Sequence, residues 1–181
     1  MIQCINEYTR ILNQIVEVKA LEQHMIAPIF CKNSKVLILG SFPSVKSREV
    51  KFFYGNPKNR FWRVMAEILG RPVPLSVEEK TAMLRDSGIA LWDVIASCDI
   101  DGSDDSSIKN VVPNDLRIIT ENAGIKRIFT NGGKADKLYR AYCLQITGIT
   151  ATRLPSTSPA NAGSSFEKLV TAWKAVAESL L

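Results

Sequence analysis

Four short segments of the chain concentrate groups that could do chemistry. Gly40-Ser41-Phe42-Pro43-Ser44 sets backbone donors and two hydroxyls beside a glycine that lets a ligand approach closely. Such a turn either cradles an anion or is simply a turn. Asn131-Gly132-Gly133-Lys134 opens a helix with free N–H groups and a cation. It reads as a phosphate seat or as an ordinary strand-to-helix turn. Trp92-Asp93, with the polar stretch Cys98–Asn110 after it, and Leu154-Pro155-Ser156-Thr157-Ser158-Pro159-Ala160-Asn161 complete the set. A fifth stretch is set apart by charge. Lys46, Arg48, Lys51, Lys58, Arg60 and Arg63 face Glu49 alone, so this window carries as much charge as the whole chain's net +5. Its aromatic interior of Phe52, Phe53, Tyr54, Phe61 and Trp62 suits a polyanion with stackable bases; the other reading is a solvated charged loop. There is no Walker A pattern, and no Gly-x-Gly-x-x-Gly follows the first strand, so ATP and NAD use have no support.

The elements that must hold these segments alternate. Lys35–Gly40 is a short, nearly all-apolar strand of the buried parallel kind, and Ile89–Ile95, Ile125–Thr130 and Ile149–Leu154 are three more. Between them, Ser41–Lys58 reads as a long loop, and Asn59 caps a helix that Gly70 stops. Ser76-x-x-Glu79 boxes a helix ending at Gly88; Asn114–Asn122 and Lys134–Leu144 are helical; Ser164-x-x-Glu167 caps a last helix to Leu181. Met1–Gln23 has near-helical apolar spacing and is expected to be an added helix. Four strands separated by helices predict a parallel sheet covered on both faces, with ligands at the carboxyl ends of its strands. All four polar segments follow strands, so that topology brings them to one cleft.

Composition narrows the function classes. With 181 residues, 46% of them hydrophobic and 23% charged, one domain with a real core is expected, and disorder is not. No apolar run is long enough for a transmembrane helix, and Met1–Arg10 does not read as a secretory signal. Cys4, Cys31, Cys98 and Cys143 stand far apart with no Cys-x-x-Cys pair, which favours reduced thiols in a cytoplasmic protein over a metal cluster. A single histidine, His24, excludes multi-histidine metal sites and argues against a Ser/His/Asp triad.

Taken together and in this order, the segments resemble the uracil-DNA glycosylase superfamily, most closely its hypoxanthine-DNA glycosylase branch. The residues that carry the resemblance are Leu37–Ser44, Tyr54-Gly55-Asn56-Pro57-Lys58-Asn59-Arg60-Phe61-Trp62, Ala90–Ile95, Thr130–Lys134 and Leu154–Asn161. It covers roughly Ala27 to Leu181, leaving 1–25 as an extension and 26–181 as the catalytic domain. The resemblance implies a three-layer α/β/α fold around a four-stranded, mainly parallel sheet, no cofactor and no metal. It implies a monomer acting on DNA with a deaminated base, away from membranes, in a prokaryotic-type cytoplasm at the nucleoid. The base is flipped from the stack and its N-glycosidic bond hydrolysed. Many members carry Asp or Asn in the first motif, where Ser41 and Phe42 stand here, and some begin the second motif with His, where Leu154 stands. These departures argue against the usual uracil machinery.

By the same resemblance, Gly40, Ser41, Phe42, Tyr54, Trp92 and Asp93 form the base pocket, Tyr54 stacking on the base and Asp93 accepting from its edge. Ser44, Lys51, Lys58, Asn131, Lys134, Ser156 and Ser158 contact DNA phosphates, the small Ser158 standing where relatives insert a bulkier wedge. The attacking water falls to Asn56 or Asn59. Asn56 is preferred, because capping already accounts for Asn59. Phe61, Trp62 and Trp173 are expected in the core. The alternatives are a G:T/U mismatch-specific uracil or thymine glycosylase, a catalytically silent damaged-DNA-binding protein of the same fold, and a small nucleotide-binding module.

Overall fold

A computed structural model describes residues 22–181. Its main sheet has four parallel strands: β2 (Val36–Gly40), β3 (Ile89–Asp93), β6 (Arg127–Asn131) and β7 (Ala151–Leu154), in the order β3-β2-β6-β7. β2 and β3 are buried along their whole length, as strands covered on both faces must be. Each aliphatic side chain sealed there contributes about 1.5–3 kcal/mol. Three longer helices, α2 (Phe61–Leu69), α3 (Val77–Asp86) and α5 (Gly133–Tyr142), lie between strands of this sheet in the chain, and α7 (Phe166–Glu178) comes last. α2 packs against α7, α3 against β3, and α5 against β6 and β7. Phe61 and Trp173 are fully buried between α2 and α7, their rings edge to face at 5.7 Å, and Trp62 is buried beside them. The layers are the expected α/β/α.

The departures have local causes. The expected strand Ile89–Ile95 is two strands. At Val94 the chain turns out of the parallel sheet while its N–H still donates to Gly40. It then runs as β4 (Ile95–Asp99) into a second, antiparallel sheet of order β1-β4-β5, with β1 at Glu22–Gln23 and β5 at Lys109–Pro113. The buried Asn114 side chain holds the bend, donating to the carbonyls of Asp93 and Ile95. Cys98–Asn110 is therefore a hairpin and its tip, not a loop throughout. Glu22 and Gln23 pair with Cys98 and Ser97, so the expected N-terminal helix does not include them; the rest of that expectation, Met1–Leu21, lies outside the described residues.

Ser41–Lys58 holds a short helix, α1 (Val45–Glu49), capped by Ser44. The expected helix Asn114–Asn122 shrinks to α4 (Arg117–Thr120), and Lys134–Leu144 divides into α5 and α6 (Leu144–Thr147). α7 is capped by Ser165, not Ser164: the Ser165 hydroxyl accepts from the Lys168 N–H, and the Ser164 carbonyl serves Arg60 instead. No described helix is long and apolar enough to cross a membrane.

Candidate active site

The carboxyl ends of β2, β3 and β6 and the loop after β7 open on one cleft of about 340 Å³. Gly40, Ser41, Phe42, Ser44, Tyr54, Asn56, Asn59, Asp93, Asn131, Ser156 and Ser158 line it, so the topology converges these expected residues. Four others stay outside. Trp92 alternates with Asp93 along β3 and therefore points away from it. Its indole is buried and donates to the Ile26 carbonyl at 3.2 Å, so it does not read a base. Lys51, Lys58 and Lys134 do not line the cleft either. Lys134 lies near Asp104 and Asp105, where its charge offsets part of an acidic rim.

Asp93 forms the floor. Its Oδ2 lies 2.8 Å from His24 Nε2, and the His24 side chain is wholly covered. Oδ1 lies where a Cβ on Gly40 would be, at 2.0 Å. Only glycine at position 40 admits that carboxylate. His24 is not anticipated by any motif. It lies 69 residues from Asp93, and its one sequence signal is being the chain's single histidine. Asp105, at the tip of the β4–β5 hairpin, forms the rim. The Ser41 hydroxyl donates to both of its carboxylate oxygens at 3.1 Å, which turns the carboxylate inward. Withdrawal from solvent raises its pKa above the ordinary carboxylate value, with Asp93 and Asp104 adding to the shift and Ser41 and Lys134 opposing it.

Tyr54 has a left-handed backbone, φ +52°, unusual for a bulky residue. Its ring stacks on Phe61 with centroids 3.9 Å apart and planes 20° apart. It is therefore anchored to the core by one face. Burial, and then the Asp93 charge, push its phenol pKa up, so it stays protonated. The phenol oxygen accepts from Asn131 Nδ2 at 3.0 Å. Asn131 also donates to Thr157 Oγ1 and accepts from the Thr157 N–H. Its amide is committed to joining β6, Tyr54 and the last loop, so it is not a DNA-phosphate contact. Gly132 has φ +98°, and a Cβ there would meet Ser156 at 2.9 Å, so this glycine lets the last loop close on β6.

The basic window is mostly spoken for. Arg60 donates to the carbonyls of Thr157, Ser158, Asn161 and Ser164, clamping the last loop to the start of α2. Arg48 donates to the Pro43 carbonyl and faces Glu22. Lys46 pairs with Glu49, and Arg63 lies over the Phe166 ring. Lys51 and Lys58 are exposed, and their ammonium groups make no hydrogen bond or ion pair among the described residues. The Ser158 hydroxyl accepts from Ala160 and the Ser156 hydroxyl from Ser158, so both shape the loop while lining the cleft.

Asn56 and Asn59 turn out alike. Asn56 Oδ1 accepts from the Lys58 N–H at 2.9 Å, and Asn59 Oδ1 from the Phe61 N–H at 3.0 Å. Each is held by a backbone donor two residues on, so capping does not separate them. The formal flanking residue of α2 is Arg60, which has no side-chain cap of its own. Leu154 is buried, so that position offers the cleft nothing polar. Burial pushes the thiols of Cys98 and Cys143 up to about 11, so neither is a ready nucleophile. Among the described residues, no group of three His, Cys, Asp or Glu could hold a metal ion.

The profile of the uracil DNA glycosylase superfamily matches residues 27–177. A hypoxanthine DNA glycosylase of Methanosarcina acetivorans is 34% identical over 131 residues, covering 72% of this chain and 82% of that protein. Another, of Methanosarcina barkeri, is 32% identical over 136 residues, 74% of this chain and 85% of that protein. A solution NMR structure from Methanosarcina acetivorans, described as a candidate uracil DNA glycosylase, superposes with a TM-score of 0.76 at 32% identity. It covers 89% of this chain and 99% of its own. With the profile match running nearly the length of the domain and a relative 34% identical over most of it, the chain belongs to the uracil DNA glycosylase superfamily.

Proposed function

We propose that this protein is a monofunctional DNA glycosylase that excises hypoxanthine and leaves an abasic site, acting as a monomer in the cytoplasm where chromosomal DNA lies. The observation that carries the reading is the buried Asp93 carboxylate on the floor of a cleft walled by Tyr54. Deamination of adenine turns N1 from an acceptor into an N–H donor. A carboxylate accepts from the second and repels the first, so it separates hypoxanthine from the normal base. Both similar Methanosarcina proteins carry the hypoxanthine DNA glycosylase name, which supports the same substrate here.

The reaction needs little machinery. A water oxygen bonds to C1′ as the C1′–N9 bond breaks, the bonding pair leaves with the base, and the base takes up the proton. The sugar passes through a cation-like state, which Asp93, Asp105 and the DNA phosphates favour electrostatically. We assign the water to Asn59 over Asn56. Asn59 immediately precedes clamped Arg60 and fully buried Phe61, whose N–H holds its side chain, and rigid seats hold catalytic geometry best. Lys51 and Lys58 supply phosphate contacts at the rim.

The test is incubation of the full chain with matched duplexes carrying hypoxanthine, uracil, xanthine or a thymine mismatch, scored for alkali-labile abasic sites. Hypoxanthine is expected to be cut fastest. Tight binding without any abasic product would leave a silent damage-binding protein. In the same assay Asn59→Ala should slow single turnover by about 10²–10⁴-fold, and Asn56→Ala by much less; the reverse order would return the water to Asn56.

A further inference from the structure

His24 lies before the span matched by the superfamily profile, which begins at residue 27, yet it completes the floor of the cleft. The backbone N–H of Ile26 donates to His24 Nδ1 at 3.2 Å, so that nitrogen is the acceptor and the ring proton sits on Nε2, directed at Asp93 Oδ2. The ring is held edge-on to Phe42 and Trp92, with centroids 6.0 and 6.3 Å away, and tilted against Phe53 at 6.1 Å. Its backbone N–H donates to the Ala96 carbonyl at 2.7 Å, next to the β1–β4 pairing. No freedom remains to the imidazole.

One Asp93 oxygen is thereby occupied. Among the described residues the other accepts no hydrogen bond, and no sealed side-chain oxygen or nitrogen lacks a partner. Oδ1 is therefore open to the cleft. We propose that His24 is a positioning residue: its Nε2–H fixes the Asp93 carboxylate so that Oδ1 faces the ring N–H of the extruded base. Specificity for a base with that N–H is then set partly by a segment outside the matched domain. This rests on the base-reading role given to Asp93 above.

The test uses the full chain and two duplexes, one with hypoxanthine and one with purine, which keeps the N9–C1′ bond but has no N1–H. The readout is the ratio of single-turnover excision rates, hypoxanthine over purine. A hydrogen bond to a charged group contributes roughly ten- to hundredfold. Asp93→Asn should lower the ratio by about that factor, and His24→Leu should lower it most of the way. His24→Gln, which keeps a donor for Oδ2, should restore it. The double variant His24→Leu/Asp93→Asn should be no worse than Asp93→Asn alone. Should His24→Leu fail to fold, His24→Met replaces it, and His24→Gln must still keep the wild-type ratio.

An unchanged ratio in folded His24→Leu, equal losses on both duplexes, or a His24→Gln ratio as low as that of Asp93→Asn would each overturn the inference. An unchanged ratio in Asp93→Asn would overturn the base-reading role itself, and the inference with it. A change there with none in His24→Leu removes only the positioning role.

Discussion

Replacing Arg60 tests whether the basic window is a DNA face or an internal clamp. Its guanidinium reaches the Ser158 carbonyl at 2.9 Å, the Asn161 carbonyl at 3.0 Å and the Ser164 carbonyl, with a weaker bond at 3.4 Å to Thr157. Arg60→Met keeps the length and apolar stem but strips those carbonyls of their donor. The backbone bond from the Arg60 N–H to Thr157 survives. At about 1 kcal/mol net for each good bond, the loss is about 3 kcal/mol. For a protein of this size that lowers Tm by about 6–12 °C. Arg60→Lys should recover little, because an ammonium lacks the planar fork. Thermal unfolding by circular dichroism measures the loss, and DNA titrations at several salt concentrations measure the phosphate contribution. A Tm within about 2 °C of wild type, together with a flatter salt slope, would refute the clamp and make Arg60 a phosphate contact.

Removing Lys51 and Lys58 together by substitution with glutamine should leave Tm unchanged and flatten the log K against log salt slope by about 2, at about 0.9 per phosphate; an unchanged slope means DNA binds elsewhere. Tyr54→Ala should destabilise by about 3 kcal/mol by uncovering Phe61, whereas Tyr54→Phe should cost about 1 kcal/mol by leaving Asn131 one acceptor short; chemical denaturation separates the two. Asp105 has a raised pKa, so the folded state resists its ionisation and stability falls as pH climbs from 3.8 through the raised value. Asp105→Asn should therefore raise Tm at pH 7 and match wild type below pH 3.8, and equal Tm values at both would show that the carboxylate is not strained.

The four strands were legible because buried parallel strands write themselves as runs such as Val36–Gly40, and the convergence of their loops followed from topology alone. The second sheet was not. β5 is mostly exposed and β4 is irregular in register, so neither shows the period-2 alternation that marks a strand. Arg60 illustrates another limit. A lysine or arginine in a basic run looks the same whether it faces solvent or four carbonyls, since the partners of Arg60 lie 97 to 104 residues away. The resemblance puts Trp92 and Asp93 together in the base pocket, but adjacency in a strand places side chains on opposite faces. His24 needed the fold most, as nothing local distinguishes it from a surface histidine.

The contact between Gly40 and Asp93 governs how this cleft can be altered. The carboxylate occupies the volume that any side chain at position 40 would need, so position 40 can change only once residue 93 has. A library that varies position 40 alone will return misfolded or inactive variants, whatever chemistry it installs. One that first shortens residue 93 frees the space and opens position 40 to the polar groups from which another base preference could be built. The route to a new specificity therefore runs through an intermediate that has lost the old one.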